Sequence, residues 1–345
     1  MDRKRYALNR NQPRPWWLFL AWVWLALVPL LANGCETEQP RVYRVGILSG
    51  LDYFVEVTDG FKAGMAELGY LEGQHIIYDV CRTNFDEETY RQALQQFVAD
   101  GVDLIVAFPT EAALEAKAAT AGTGIPVIFA LAFTEGVDLI ESVPEPGGNI
   151  TGVRYPGPDI VLKRFEIMHE LQPQTRRIWV PYQRNYLTVA NQLAVLSPVV
   201  EAAGITLIEI PAANAAELEA NLTAQATTVE PGMDAILFLG EPLTVTADTF
   251  AVIARFAAQH RIPIGGHSIF MSADHYGAVF GVDVNGFAAG HRLASLADKI
   301  FHDTPAGTIR VLSAESQLQI NYHVAEELGL TVPEGLLKEA DEVVR

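Results

Sequence analysis

The chain has 345 residues, enough for two ordinary domains, and its composition, half apolar and 19% charged, excludes a disordered protein. Forty-two acids against 24 bases leave a net charge of −18. A surface of that sign repels phosphate backbones, so no nucleic-acid partner is expected.

The basic residues Arg3, Lys4, Arg5, Arg10 and Arg14 precede an apolar run from Trp16 to Ala32. The run is short for a membrane span and ends Leu30-Leu31-Ala32-Asn33-Gly34-Cys35. That end resembles a bacterial lipobox, in which the cysteine is diacylated and becomes the mature N-terminus. Residues 1–34 therefore read as signal peptide and lipobox, Cys35 as the lipidation site and 35–41 as a polar tether. An uncleaved anchor is the alternative. Either way the body lies outside the cytoplasm, because the basic residues stay inside. Cys81 is the second of two cysteines, too few for a disulfide framework or a zinc site.

From Arg44 strands alternate with helices. The pattern predicts strands at 44–48, 75–80, 103–108, 125–131 and 150–155. Helices are predicted between them at 56–69, 87–100 and 111–121, with a short helical turn near 136–141. Continuous apolar runs such as DLIVAF (103–108) and IPVIFAL (125–131) mark strands buried on both faces of a parallel sheet. The series then starts again. Helices are predicted at 159–171, 188–203, 214–228, 246–259, 286–302 and 323–328, and strands at 176–182, 205–210, 234–240, 262–267, 277–282, 308–312 and 317–321. In each half an Asp, Asp103 or Asp234, opens the third strand. Each of those strands runs into a polar turn, Pro109-Thr110-Glu111 or Gly240-Glu241-Pro242. The fold class is α/β, with two doubly wound, Rossmann-like lobes and a ligand cleft between them. The expected division is 42–153 plus 283–311 in one lobe and 154–282 plus 312–345 in the other.

Catalytic patterns are missing. There is no G-x-G-x-x-G after a strand, no G-x-x-x-x-G-K-[ST], no G-x-S-x-G and no H-E-x-x-H. His267 and His275 flank a loop and read as surface or turn histidines. No enzyme activity, cofactor or metal is expected. What remains are polar strand ends suited to an amino-acid head group. Thr110 stands at a helix start and can donate, although it equally fits a plain N-cap. Ser49 follows the first strand beside Gly50, where backbone can approach closely. Glu111, Glu135 or Glu241 can neutralise an ammonium, although Glu111 also suits a solvent-facing first turn. Tyr53, Phe133, Tyr155, Tyr182 and Tyr186 can supply aromatic walls.

The runs GFKAGMAELGYLEGQHIIYD (60–79), DLIVAFPTEAA (103–113), IPVIFALAF (125–133), PGGNITGV (146–153) and INYHVAEELGLTVP (320–333) keep one order and spacing. In these the chain resembles the bacterial ABC-transporter substrate-binding lipoproteins related to tryptophan/tyrosine uptake, from Val42 nearly to the end. The resemblance implies a type I periplasmic-binding fold, with two lobes joined by three hinge strands that close on a small solute. It also implies an ABC permease as partner, a lipid anchor in the membrane and a monomer. By similarity Thr110 takes the place of the threonine after the third strand, and Ser49, Asp52 and Tyr53 lie in the first cleft loop. Glu241 lies where relatives often show Asp-Asn, and here it is followed by Pro242. After the fourth strand Thr134-Glu135-Gly136 replaces the common Asp-Pro. Both departures fall on the cleft, so an aromatic amino acid does not follow as the ligand. The hinges are expected near Val153–Tyr155, Val282–Asp283 and Val311–Ser313. A sensory receptor of the same fold, signalling to a membrane kinase, is the alternative function. A repressor would need a DNA-binding helix pair where this chain has its apolar leader.

Overall fold

The computed structural model describes residues 41–83, 86–228, 234–269 and 277–345. The leader, Cys35, most of the tether and His275 lie outside the described residues. No described helix is long and apolar enough to cross a membrane.

The first sheet is parallel throughout. Its order is β2 (Ile76–Arg82), β1 (Tyr43–Ser49), β3 (Leu104–Phe108), β4 (Val127–Ala132), β5 (Ile150–Arg154) and β11 (Leu312–Ser313). β3 and β4 are buried at every residue, which is why they read as unbroken apolar runs. β2 lies at the edge and leaves Ile77 and Val80 exposed. Helix α1 (Val55–Glu67) places Val57, Phe61 and Met65 in one core. Helices α2 (Glu87–Ala99) and α3 (Thr110–Ala119) build the other, with Tyr90, Leu94, Ala112 and Ala116.

The second sheet runs β7 (Thr206–Ala212), β6 (Arg177–Gln183), β8 (Asp234–Leu237), β9 (Ile264–Gly266), β10 (Phe280–Val284), β12 (Ser316–Asn321) and β13 (Glu342–Val344). Only the β10–β12 pair is antiparallel. Helices α4 (Gly157–Leu171) and α5 (Val189–Ala202) contribute to one core. Helices α6 (Ala215–Thr228) and α7 (Ala247–His260) build the other.

Both halves thus use the strand order second, first, third, fourth, fifth. The two aspartates hold matching places. Asp103 accepts the Arg44 backbone N–H at 2.8 Å, and Asp234 accepts Arg177 Nε at 2.6 Å. In each half the third strand is thereby tied to the start of the first.

The chain passes between the sheets after β5, after β10 and after β11. After β10, Asn285 caps α8 (Gly286–Phe301) by accepting the Ala288 N–H at 2.7 Å. This helix crosses back to α1, where glycines permit close approach: a Cβ on Gly60 would strike the Phe287 carbonyl, and one on Gly290 the Val57 carbonyl. The α1–α8 pair therefore carries the cleft loop at Tyr53 and the second crossing at Asp283 on one support.

Several elements differ from the sequence reading. Residues 136–141 form turns rather than a helix. The strand expected at 308–312 is a 3-10 turn, Ala306–Thr308, followed by strand at Leu312–Ser313 alone. That strand pairs with β5 in the first sheet, although 312 was assigned to the second lobe. The C-terminal tail adds α9 (Tyr322–Leu328), α10 (Glu334–Glu339) and β13. The last two were not foreseen, because three- and six-residue elements have no readable period.

Candidate functional site

The carboxyl ends of both sheets and the crossings enclose a cavity of about 530 Å³. Of the residues expected at a site, Tyr53, Thr110, Phe133, Tyr155 and Glu241 line it, as does Tyr186. Ser49, Glu111, Thr134 and Tyr182 do not, and the Asp52 side chain lies outside the description. Ser49 is buried, its hydroxyl donating to the Leu51 carbonyl at 3.2 Å. Tyr182 donates to Glu209 on the neighbouring strand β7, and burial pushes its phenol up to about 12. Thr134 is turned inward, its hydroxyl buried without a hydrogen-bond partner.

The Thr110 Oγ1 accepts the Phe133 N–H at 3.1 Å, tying the start of α3 to the loop after β4. That leaves its hydroxyl proton available to the cavity. The Phe133 ring packs on Tyr155, with centroids 5.0 Å apart, inside the core of the second lobe. Gly157 and Gly240 make room for it: a Cβ on Gly240 would lie 2.9 Å from Phe133 Cζ, and one on Gly157 would overlap the ring. Gln192 holds the Gly240 turn from both sides, donating to its carbonyl at 3.0 Å and accepting its N–H at 2.7 Å. Next in the chain, Glu135 pairs with Arg154, and its carbonyl accepts Asn191 Nδ2 at 3.0 Å. The segment where this chain departs from the common Asp-Pro thus fastens one lobe to the other. None of Thr134, Glu135 and Gly136 lines the cavity; Phe133, just before them, does.

Glu241 is 5% exposed. It accepts the Gln183, Leu243 and Thr244 N–H groups and the Thr244 hydroxyl, at 2.6 to 2.9 Å. Burial nonetheless raises its pKa above the ordinary carboxylate value, since those bonds offset desolvation only in part. Glu111, in the first turn of α3, has one carboxylate oxygen buried without a hydrogen-bond partner. Burial raises its pKa too, while the neighbouring Tyr186 phenol works against that rise.

The floor is a network around Arg164, which is fully buried. Its Nε donates to the Val282 carbonyl at 3.0 Å and its Nη1 to the Phe238 carbonyl at 2.9 Å. Its Nη2 lies 3.4 Å from the Tyr155 hydroxyl and 2.9 Å from His267 Nδ1. Burial, reinforced by the guanidinium, pushes the His267 pKa below its usual value, so the ring is neutral at pH 7. The same Nδ1 lies 3.3 Å from Asp283 Oδ2, and Nε2 lies 3.3 Å from Thr244 Oγ1, so the ring bridges the guanidinium, the carboxylate and the hydroxyl. Asp283 accepts the Tyr53 phenol at 3.0 Å and the Val284 N–H at 2.8 Å. Burial favours its neutral form, but His267 and the Arg164 charge outweigh that and hold its pKa low.

Sequence reasoning missed this floor. His267 was set aside as a surface or turn histidine, yet it is 4% exposed and lines the cavity. Asp283 was read only as a hinge residue. For Arg164 a signal existed. It lies on the same face of α4 as Ile160, Val161, Ile167 and Met168, all buried, and a charge in that stripe marks a buried cation.

Two lobes of one topology, three crossings and a cavity lined from both sides define a two-lobed solute-binding protein. The chain belongs to the ABC transporter substrate binding protein family, which it matches over residues 47–344. It is 25% identical over 301 residues to a tyrosine-binding protein of Clostridioides difficile (strain R20291), covering 86% of this chain and 83% of that protein. Its fold is similar to an ABC domain in complex with L-Trp from Streptococcus pneumonia, with TM-score 0.75 and 25% identity, over 88% of this chain and 99% of that one. A conserved domain protein from Vibrio cholerae matches with TM-score 0.74 and 23% identity, over the same shares of the two chains. The type I fold and the solute-binding class expected from sequence are thereby established.

Proposed function

We propose that this substrate-binding protein captures an amino-acid-like small polar solute in the cavity between its lobes and presents it to an ABC permease. In this reading it works as a monomer held outside the cytoplasm by a lipid on Cys35. One observation carries the reading: the cavity draws Tyr53 and Thr110 from the first lobe, and Tyr186 and Glu241 from the second. A solute touching both sets favours the closed arrangement by its difference in affinity for the two states. The crossings after Arg154, Val284 and Ser313 are the bending points. The relatives named for tyrosine binding and found with L-Trp support an ammonium-bearing ligand with an apolar body.

The test is a thermal-shift screen of the full-length chain, stripped of carried-over ligand by unfolding and refolding. It is run against amino acids, peptides, nucleosides and sugars. A concentration-dependent rise in melting temperature with an amine-bearing solute is expected, as mass action requires. No response across the panel overturns the reading.

A further inference from the structure

Arg164 does not line the cavity, but two side chains that it touches, Tyr155 and His267, do. We propose that Arg164 is a positioning residue for solute capture. From inside the second lobe it fixes Tyr155 and His267 directly, and Asp283 and Tyr53 through His267 and the Val282 backbone. This inference rests on the cavity being the solute site.

The guanidinium gathers strand ends. Val282 lies near the end of β10, and its carbonyl accepts Arg164 Nε at 3.0 Å and Nη2 at 2.6 Å. Phe238 follows β8, and its carbonyl accepts Nη1 at 2.9 Å. His267 follows β9 and Tyr155 follows β5; their polar atoms lie 2.9 and 3.4 Å from Nη2. β8, β9 and β10 are neighbours in the second sheet, whereas β5 belongs to the first. One side chain thus sets how four carboxyl-terminal strand ends meet, which is where a parallel sheet places its ligand contacts. Arginine suits this task because its planar fork presents donors in fixed directions.

Packing alone does not call for a charge here. Arg164 shares its face of α4 with Ile160, Val161, Ile167 and Met168, and an apolar side chain of similar volume fills such a place without a desolvation cost. What an apolar side chain cannot supply is positive charge beside His267 and Asp283. After burial, that charge is the main reason the His267 ring stays neutral. Together with His267 it holds Asp283 ionised against the effect of burial. From there two lines of contact reach the cavity. Asp283 Oδ2 lies 3.3 Å from His267 Nδ1 and accepts the Tyr53 phenol at 3.0 Å. His267 Nε2 lies 3.3 Å from Thr244 Oγ1, which donates to Glu241 at 2.6 Å. Tyr53, Asp283, His267 and Glu241 all line the cavity, so a change at Arg164 reaches a solute without touching it.

The experiment compares the ligand-stripped full-length wild type with Arg164→Lys, which keeps the charge without the fork, and Arg164→Gln, which keeps a donor without the charge. Circular dichroism checks folding. Titration calorimetry at neutral pH uses L-tyrosine, L-tryptophan and any panel compound that raises the melting temperature of the wild type. Affinity should fall about threefold in Arg164→Lys and at least about tenfold in Arg164→Gln. NMR of histidine-labelled protein, with His267 assigned by its loss in His267→Gln, reads the ring directly. The ring should take up its second proton at higher pH in Arg164→Gln than in the wild type or Arg164→Lys. A merely structural arginine does not move that titration. Wild-type affinity in either folded variant overturns the inference and leaves solute capture standing. Equal affinity losses in the two variants with an unmoved His267 titration overturn it as well. Should Arg164→Gln not fold, the affinity of Arg164→Lys decides, and a wild-type His267 that titrates at the ordinary histidine value of about 6.5 overturns the inference. A wild type that binds no compound overturns both readings.

Discussion

The Tyr53 phenol donates a 3.0 Å hydrogen bond to Asp283 Oδ2, linking the loop after β1 to the end of strand β10. The two residues are 230 positions apart, and the bond ties the first cleft loop to the second crossing between the sheets. Tyr53 is 43% exposed, so the bond is worth less than a buried one to a charged acceptor, roughly 1 kcal/mol. Tyr53→Phe should leave the fold intact and weaken solute binding about fivefold. Calorimetry checks the affinity, and circular dichroism checks the fold. Unaltered affinity would sink this assignment.

Phe133 enters the second lobe's core through a gap kept by Gly157 and Gly240. Phe133→Ala should destabilise by about 3 kcal/mol, the lower end for a buried phenylalanine, since part of the ring faces the cavity. Gly157→Ala alone should destabilise by about 1–3 kcal/mol through overpacking. Combined with Phe133→Ala it should have little further effect, because its methyl then has room. Urea unfolding of the four proteins gives the coupling energy. Additive effects would show that the ring does not depend on Gly157.

The α1–α8 contact supplies a third prediction. A methyl on Gly290 meets the Val57 carbonyl, a backbone atom that cannot rotate away. Gly290→Ala should therefore destabilise by roughly 2 kcal/mol, despite the gain of about 1 kcal/mol in helix propensity. Because α1 and α8 carry Tyr53 and Asp283 respectively, solute affinity should drop as well. Urea midpoints and calorimetry read the two effects.

His267 makes stability depend on pH. Its folded pKa is lowered by burial and by Arg164, so the folded state binds fewer protons than the unfolded chain. Its contribution is therefore fully present above the unfolded histidine value, about 6.5, and is lost as pH falls toward the folded value. Glu111 and Glu241 act in the opposite sense. Their raised pKa values make the folded state hold protons more tightly, so their ionisation lowers stability as pH rises through the carboxylate range. Melting temperatures from pH 8 to pH 5 should fall more steeply for the wild type than for His267→Gln. Equal slopes would place the acid sensitivity elsewhere.

The sequence by itself determined the two-lobed architecture. Buried parallel strands are continuous apolar runs, the intervening helices carry a 3.6-residue stripe, and the repeated Asp103 and Asp234 mark equivalent strands in the two halves. It also located the strand-end turns, and so Thr110, Tyr53, Phe133, Tyr155 and Glu241. Only the tertiary structure decided what those turns do. Glu135 turned from the cavity to the lobe–lobe contact, because Arg154 reaches its carboxylate and Asn191 its carbonyl. The floor of Arg164, His267 and Asp283 joins three elements spaced up to 119 residues apart, and no local period announces such a meeting. A pattern read along the chain reports which face of one element is apolar. Where the polar exceptions on several elements converge is set by how the sheets cross.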